Sequence, residues 1–393
     1  MNLKAVSRFF EKPIFRDERF VLGLWVLLAF VMGVTKISSD HNNYQIFKYV
    51  FWHTIEQVNL YDLYPSQYWD SNHYGPVFSI LIAPFALLPD WLGITLWVVA
   101  IALTLYYAVK YLPVSWTYRV VILYICAHEM MTAASNQQTN ALIAALIMGS
   151  FISIHKGKDF WAALFIALGF FVKLYGIVGF AFFFFSKNKI KLLLSFVFWS
   201  VILFVLPMLI SSPEFIIQSY KDWFNSLVGK NMENTISIAQ DISVMGMFRK
   251  ISGNAEVSNL LFIVPGLILF GLQYLKLSLY QNLNFRLGIL ASTLLFVVLF
   301  SSGSESSTYI IAMVGVAIWF IMQQRPFNWY AIFLLVFVLV ITSFSPSDLF
   351  PAYIRENLIS PYALKALPCF MVWLTLIYQI LTQKGLQQNI EQV

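Results

Sequence analysis

Residues 160–185 read FWAALFIALGFFVKLYGIVGFAFFFF, and Lys173 is the only charged side chain among them. Each half, 160–172 and 177–185, falls short of the ~20 apolar residues that cross a hydrocarbon core about 30 Å thick. With Lys173-Leu174-Tyr175-Gly176 between them, the halves predict a shallow helical hairpin rather than two full spans. A broken helix at membrane depth is tolerated only where surrounding protein satisfies the freed backbone groups. The segment therefore predicts a many-helix membrane protein with an interruption buried inside it.

Composition extends that reading to the whole chain. Of 393 residues, 59% are hydrophobic and 11% charged, against about 25% charged in a soluble domain. The apolar excess is spread over repeated runs of roughly 15 to 20 residues, which predicts repeated crossings. The net charge of +6 follows from basic loops on the cytoplasmic side. Lys4, Arg8, Lys12, Arg16 and Arg19 precede the run 21–37, which is read as a retained first span with a cytoplasmic N-terminus. The loop 38–75 is then exterior, and within it a helix over 44–58 places Phe47, Phe51, Ile55 and Val58 on one face. Such a helix would lie along the membrane interface.

Further spans are expected near 190–210, 257–275, 287–300, 310–322, 329–342 and 362–381. The inner loops carry Lys187, Lys189 and Lys191, then Lys276 and Arg286, then Arg325, then Lys384. The outer loops, 211–256, 301–308 and 343–361, are mixed in charge, as positive-inside orientation requires. Between Gly75 and the basic turn His155-Lys156-Gly157-Lys158 lie four apolar runs, where an odd number of crossings is needed. The short, proline-bounded run 76–88 is the one expected to dip or lie in the interface. The whole chain reads as a single integral membrane domain.

Chemistry must then lie in loops and cavities at the membrane. Asp40, after the first span, is placed to take a proton from an alcohol acceptor, although a loop acid helping Asn43 cap the next helix would look the same. Glu305, in Ser301-Ser302-Gly303-Ser304-Glu305-Ser306-Ser307-Thr308-Tyr309, is either a functional ionisable group at membrane depth or part of a turn whose serines cap a helix. Lys173 and Glu129 are charges embedded in apolar sequence. The lysine could hold a phosphate as a point charge, pair with an interior carboxylate, or snorkel to the surface. Arg249 offers a fork of donors to a phosphate, or anchors a surface helix among headgroups together with Lys250.

Several classes lack support. His41, His53 and His73 share one loop, but their spacing matches no usual metal-ligand pattern. Cys126 and Cys369 indicate neither a disulfide framework nor a zinc site. No phosphate-binding glycine loop or nucleophile elbow is present, which removes ATP coupling and serine hydrolase chemistry.

Taken in order, several stretches resemble the multispanning glycosyltransferases of the GT-C superfamily. Within it the chain is similar to glycosyltransferase family 87, of the polyprenyl-phosphate-mannose-dependent α-mannosyltransferase type. The shared pieces are Ser39-Asp40, Asn59-Leu60-Tyr61 through Tyr74-Gly75-Pro76, Pro84-Phe85-Ala86-Leu87-Leu88-Pro89, Asn136-Gln137-Gln138-Thr139-Asn140, Lys173 in its hairpin, and Gln240 to Arg249. The chain departs from the pattern at 301–309, where many relatives carry a proline and histidine motif.

The resemblance implies an all-α polytopic bundle of roughly 10–13 transmembrane helices in a cytoplasmic (inner) membrane of a cell envelope, with its site on the exterior or periplasmic face. It implies Asp40 as general base and Gln240, Ser243 and Arg249 as ligands of the lipid phosphate. His41 beside the base, Tyr74, Lys173, Glu305 and Tyr309 complete the expected substrate-binding set. The expected partners are the bilayer, a polyprenyl-phosphate sugar donor and a glycan or glycolipid acceptor, with no nucleic acid, no cofactor and no requirement for a divalent metal. A transporter or flippase for a lipid-linked saccharide would share the broken helices and buried charges, and a noncatalytic partner of a polysaccharide assembly complex would tolerate loss of Asp40.

Overall fold

An apolar chain in lipid can satisfy its backbone only by an internal ladder or a closed barrel, and this chain takes the first course. The computed structural model describes residues 12–39, 41–237 and 240–387, leaving aside the side chains of Thr235 and Ile236. Among the described residues all regular structure is helical apart from one isolated bridge between Gln323 and Leu386. Helix α1 spans Glu18–Ile37, α2 Asn42–Glu56, α3 Phe78–Ala86, α4 Asp90–Lys110, α5 Trp116–Ser135, α6 Asn140–His155 and α7 Asp159–Val172. After a 3-10 helix over Leu174–Phe185 come α8 Lys189–Val205, α9 Pro213–Ile236, α10 Val244–Ser252, α11 Leu260–Leu272, α12 Leu283–Leu299, α13 Tyr309–Ile321, α14 Trp329–Phe337 and α15 Ala366–Thr382.

Three helical stretches, Glu18–Ile37, Asp90–Lys110 and Lys189–Leu209, are long and apolar enough to cross a bilayer alone, and eight shorter apolar helices accompany them. The chain is thus an all-α polytopic membrane protein. Helices α12 and α13 are buried on nearly every side, as expected of helices that are hydrophobic all round. At the rim, α8 turns Leu194, Val197 and Val201 outward, and α11 turns out Leu260, Leu261 and Ile268. In water such faces would be an aggregation surface; against lipid tails they are matched. Polar cross-links fix the interior: Trp319 Nε1 donates to Gln379 Oε1 (2.9 Å), Gln379 Nε2 to Gln323 Oε1 (2.8 Å), and Trp373 Nε1 to Ser292 Oγ (3.0 Å).

The predicted hairpin is present, with its break at the lysine. Helix α7 stops at Val172, and Lys173 is extended at φ −153° and ψ 121°. The second limb starts at Leu174, earlier than the expected 177, and is a 3-10 helix rather than an α-helix. The limbs cross at two glycines: a Cβ on Gly169 would meet the Gly176 Cα at 2.8 Å, and one on Gly176 would run into the Gly169 backbone. The carbonyl of Val172 takes the N–H of Gly75 at 3.3 Å, and Gly176 N–H donates to Lys173 O at 3.1 Å. Surrounding protein therefore supplies the partners that lipid would not.

Other expectations change. Helix α2 buries Tyr44, Ile46, Phe47, Val50 and Phe51, more than a single interfacial stripe. Ile55 is 41% exposed, and left-handed Gln57 (φ 56°) ends the helix before Val58 can join the face. The region 211–256 is largely helix, not loop. Ser212 accepts from Phe215 N–H with Pro213 in the first turn to start α9, and Ser243 caps α10, both following ordinary helix-start chemistry. Arg286 is not in an inner loop but buried in the first turn of α12, donating from Nε to Tyr280 O (2.6 Å) and lying over the Phe185 ring. The run 76–88 forms only the nine-residue α3, interrupted by Pro84, too short to cross.

Because only backbone faces a Cβ at position 176, Gly176→Ala should lower unfolding stability by about 1–3 kcal/mol. Gly229→Ala, with open space around it, should leave stability close to wild type. Chemical denaturation of both variants in one lipid or detergent system checks this; equal stability would remove the glycine crossing as the basis of the hairpin.

Candidate active site

The break at Lys173 opens onto a cavity of about 700 Å³, within the range of small-molecule sites. Its wall combines the end of α1 (Lys36), the start of α2 (Asn42, Asn43), the loop 69–74 and the turn 135–138 with Lys173, Leu174 and Tyr175. Helix α9 adds Leu227, Lys230, Asn231 and Asn234, and Gln240 and the serine-rich loop 301–307 complete it.

Lys173 is a cation of this wall that has no counter-ion among the described residues. Its Nζ donates to Asn140 Oδ1 (3.1 Å) and lies 5.0 Å from the Tyr175 ring centroid and 5.9 Å from that of Tyr74. No carboxylate among the described residues is within ion-pair distance of it. Three N–H donors with one neutral acceptor leave capacity for an anion. Asn140 is held from its other end, Nδ2 donating to Ser307 Oγ (3.3 Å).

The stretch 136–140 acts as a bracket. Asn136 O accepts from Asn43 Nδ2 (2.9 Å), Gln137 Oε1 from Tyr44 N–H (3.2 Å), and Gln138 Oε1 from Tyr74 Oη (2.8 Å). Thr139 Oγ1 in turn donates to Tyr74 Oη (3.1 Å). Asn72 accepts the Tyr74 N–H (2.9 Å), and the Tyr74 ring stacks on Phe78 with centroids 4.8 Å apart. The start of α2, Tyr74 and Lys173 are thereby fixed in one frame.

Glu305 both caps and faces the cavity. Its side chain and that of Thr308 form a reciprocal capping box at the helical turn leading into α13, so the cap is made by Glu305 itself with Thr308 rather than by the serines expected of this turn. Burial raises its carboxyl pKa, and the charges of Lys173 and Lys230 pull it back down. His73 hydrogen-bonds Ser226 Oγ through Nδ1 (2.7 Å), and its carbonyl accepts from Trp223 Nε1 (2.9 Å). Burial, helped by Lys230 and Lys173, lowers the His73 pKa to about 4 against an opposing pull from Asp70. The imidazole is therefore neutral at ordinary pH. Lys230 lies 3.7 Å from carboxylate oxygens of both Asp70 and Glu233.

Of the residues expected from sequence, Tyr74, Lys173, Gln240 and Glu305 line the cavity. Ser243, Arg249 and Tyr309 do not. Arg249 is 4% exposed and forms a buried ion pair with Asp241, with Nη1 also donating to Val257 O (2.9 Å) and Asn259 Oδ1 (2.7 Å). Ser243 donates to Asp241 Oδ1 (2.6 Å) while capping α10. Both polar groups stabilise the corner around Asp241, and the fork of Arg249 is occupied. Tyr309 is buried and donates to Ile242 O (2.9 Å). His41 donates from Nδ1 to Ser39 O (2.8 Å) just outside the lining. Asp40 lies outside the described residues. Glu129 pairs with Lys365 at 2.7 Å, not with Lys173.

Sequence reading passed over Lys230 and gave His73 no place in the site. The signal for Lys230 was the helical spacing of Leu227, Lys230, Asn231 and Asn234, which places all four on one face of α9; reading 211–256 as loop concealed it. Among the described residues no cluster of three or more His, Cys, Asp and Glu side chains is arranged to hold a metal.

The low His73 pKa makes a pH prediction. A histidine whose pKa falls on folding adds stability above its unfolded value of 6.5, and that contribution is lost as pH drops from 6.5 towards 4. Carbon-13 NMR of labelled histidine should show a His73 midpoint near 4, moved upward by Lys230→Gln. A wild-type midpoint near the ordinary value would contradict the buried placement.

Residues 72–346, more than half of the chain, match the sequence model of glycosyltransferase family 87. The matched stretch contains Tyr74, Lys173, Lys230, Gln240 and Glu305, begins after Asp40 and ends before Lys365. A search of curated proteins returns no match. Membership decides between the enzyme and the carrier that the sequence left open: the chain belongs to glycosyltransferase family 87 and is a membrane glycosyltransferase.

Proposed function

We propose that this glycosyltransferase moves a mannose-like hexose from a polyprenyl-phosphate donor to a hydroxyl acceptor on a glycan or glycolipid, at the exterior face of a cytoplasmic membrane. The observation that carries the reading is the ammonium of Lys173, which has a neutral amide and no carboxylate partner among the described residues, in a cavity within an apolar bundle. A sugar donor carried on a lipid needs an apolar surround for its chain and fixed positive charge at its phosphate. Lys230 and Lys36 line the same cavity, so the phosphate role expected of Arg249 passes to lysines.

In this reading Asp40 accepts the proton of the acceptor hydroxyl as its oxygen attacks the anomeric carbon. The bond from that carbon to the phosphate oxygen breaks, and a single displacement inverts the centre. Charge grows on the departing phosphate, which the Lys173 ammonium would offset. Fixed charge aimed at developing charge usually accelerates such reactions more than any other single effect. Support for Asp40 comes from Lys36, Asn42 and Asn43, its near neighbours in sequence, which line the cavity. Neutral His73, Tyr74, Tyr175 and Gln240 offer the hydrogen-bonding groups that sugar hydroxyls require.

The test is transfer of labelled hexose from polyprenyl-phosphate donors by the purified chain in lipid. Asp40→Asn should lower the transfer rate by about 10²–10⁴-fold with donor binding retained. Lys173→Met should weaken donor use by about tenfold or more. Full activity of Asp40→Asn removes the base assignment, and transfer from a nucleotide sugar with none from any polyprenyl phosphate removes the donor class.

A further inference from the structure

A buried lysine stands behind the cavity wall. Lys365, at the start of α15, is 3% exposed, and its partner Glu129 on α5 is fully buried. All three donors of the ammonium are used: Glu129 Oε1 at 2.7 Å, Ser306 O at 2.9 Å and Ser306 Oγ at 2.9 Å. A buried ion pair is a poor source of stability, because desolvation offsets most of the attraction and an apolar pair often does as well. Here two of the lysine's three hydrogen bonds go to one serine, and that serine lines the cavity.

The geometry leaves Ser306 with one free function. Its carbonyl accepts from both Lys365 Nζ and Tyr309 N–H, which fixes the backbone. Its hydroxyl oxygen accepts from the ammonium, so the hydroxyl hydrogen must point elsewhere, and no bond from it to a protein acceptor is present among the described residues. A hydroxyl that accepts from a cation is a stronger donor in turn. Lys365 and Glu129 form a dipole with its positive end against Ser306. From the other side, Lys173 holds Asn140, which donates to the adjacent Ser307.

We propose that Ser306 is a hydrogen-bond donor to the phosphate of the lipid-linked substrate, held in place and polarised by the Lys365–Glu129 pair. This rests on the polyprenyl-phosphate reading above. Ser306 is the contact residue; Lys365 and Glu129 are positioning residues that act through it.

Binding of farnesyl phosphate and of farnesol to the full chain in lipid nanodiscs separates the two readings, because the ratio of affinities reports the phosphate alone. Wild type should prefer the phosphate. Ser306→Ala should cut that preference by about tenfold with farnesol binding unchanged, and Ser306→Thr should restore it. Lys365→Met combined with Glu129→Met, which leaves no unpaired buried charge, should stay folded and lose the preference to a similar degree. Undiminished preference in Ser306→Ala overturns the Ser306 assignment and leaves the donor class standing, and so does an equal loss of farnesol binding. Absence of any phosphate preference in wild type overturns the donor class itself.

Discussion

Everything at the cavity depends on how the end of α7 is satisfied. A helix that stops inside a membrane protein leaves carbonyls without partners, and hydrocarbon offers none. Here the Gly75 N–H takes the Val172 carbonyl, and the contact of Gly169 with Gly176 lets the 3-10 limb fold back against α7. Gly75 is part of the same constraint, since a Cβ there would run into the Phe171 carbonyl. That single crossing brings the loop bearing His73 and Tyr74 against Lys173 and leaves the ammonium at the cavity rather than inside a continuous helix.

The charged side chains at the cavity and behind it differ in how they are partnered. Arg249 with Asp241, and Lys365 with Glu129, are closed ion pairs inside the fold, and among the described residues Glu129 Oε2 has no hydrogen-bond partner. Lys173 has a neutral amide and two aromatic rings instead. Desolvating a cation without a counter-ion is costly, and a bound anion would offset that cost. The closed pairs serve the open one: the corner at Asp241 seats Ile242, whose N–H donates to Ser304 O at 2.8 Å, and Lys365 holds Ser306. The serine-rich loop is therefore held at Ser304 and Ser306 by elements that carry buried ion pairs.

Much of this could be read from residue order. The run lengths at 190–210, 257–275 and 362–381 gave helices close to their observed bounds, and the lone charge in 160–185 marked the break. The stretch Asn136 to Asn140 was identified as a shared motif, and the structure shows it as the bracket joining α2 to Lys173. Two kinds of fact were not legible. The partner of Glu129 is 236 residues away in sequence, so nothing local distinguished pairing with Lys365 from pairing with Lys173. Arg249 carried the right chemistry for a phosphate, but Asp241, eight residues before it, had the first claim. The helix α9 was hidden by its polarity, although Ser212 and Pro213 announced its start. Asp40, the residue on which the chemistry of the reading turns, lies outside the described residues.

The most direct measurement is an experimental structure of the chain in lipid with a non-hydrolysable polyprenyl-phosphate sugar analogue bound. The phosphate should lie in the cavity within hydrogen-bond reach of Lys173 Nζ, with the sugar towards Asn42 and the prenyl chain leaving between apolar helices. A phosphate seated instead beside Lys250 and Arg249, or at the outer face of α9 with the Lys173 cavity empty, would contradict it.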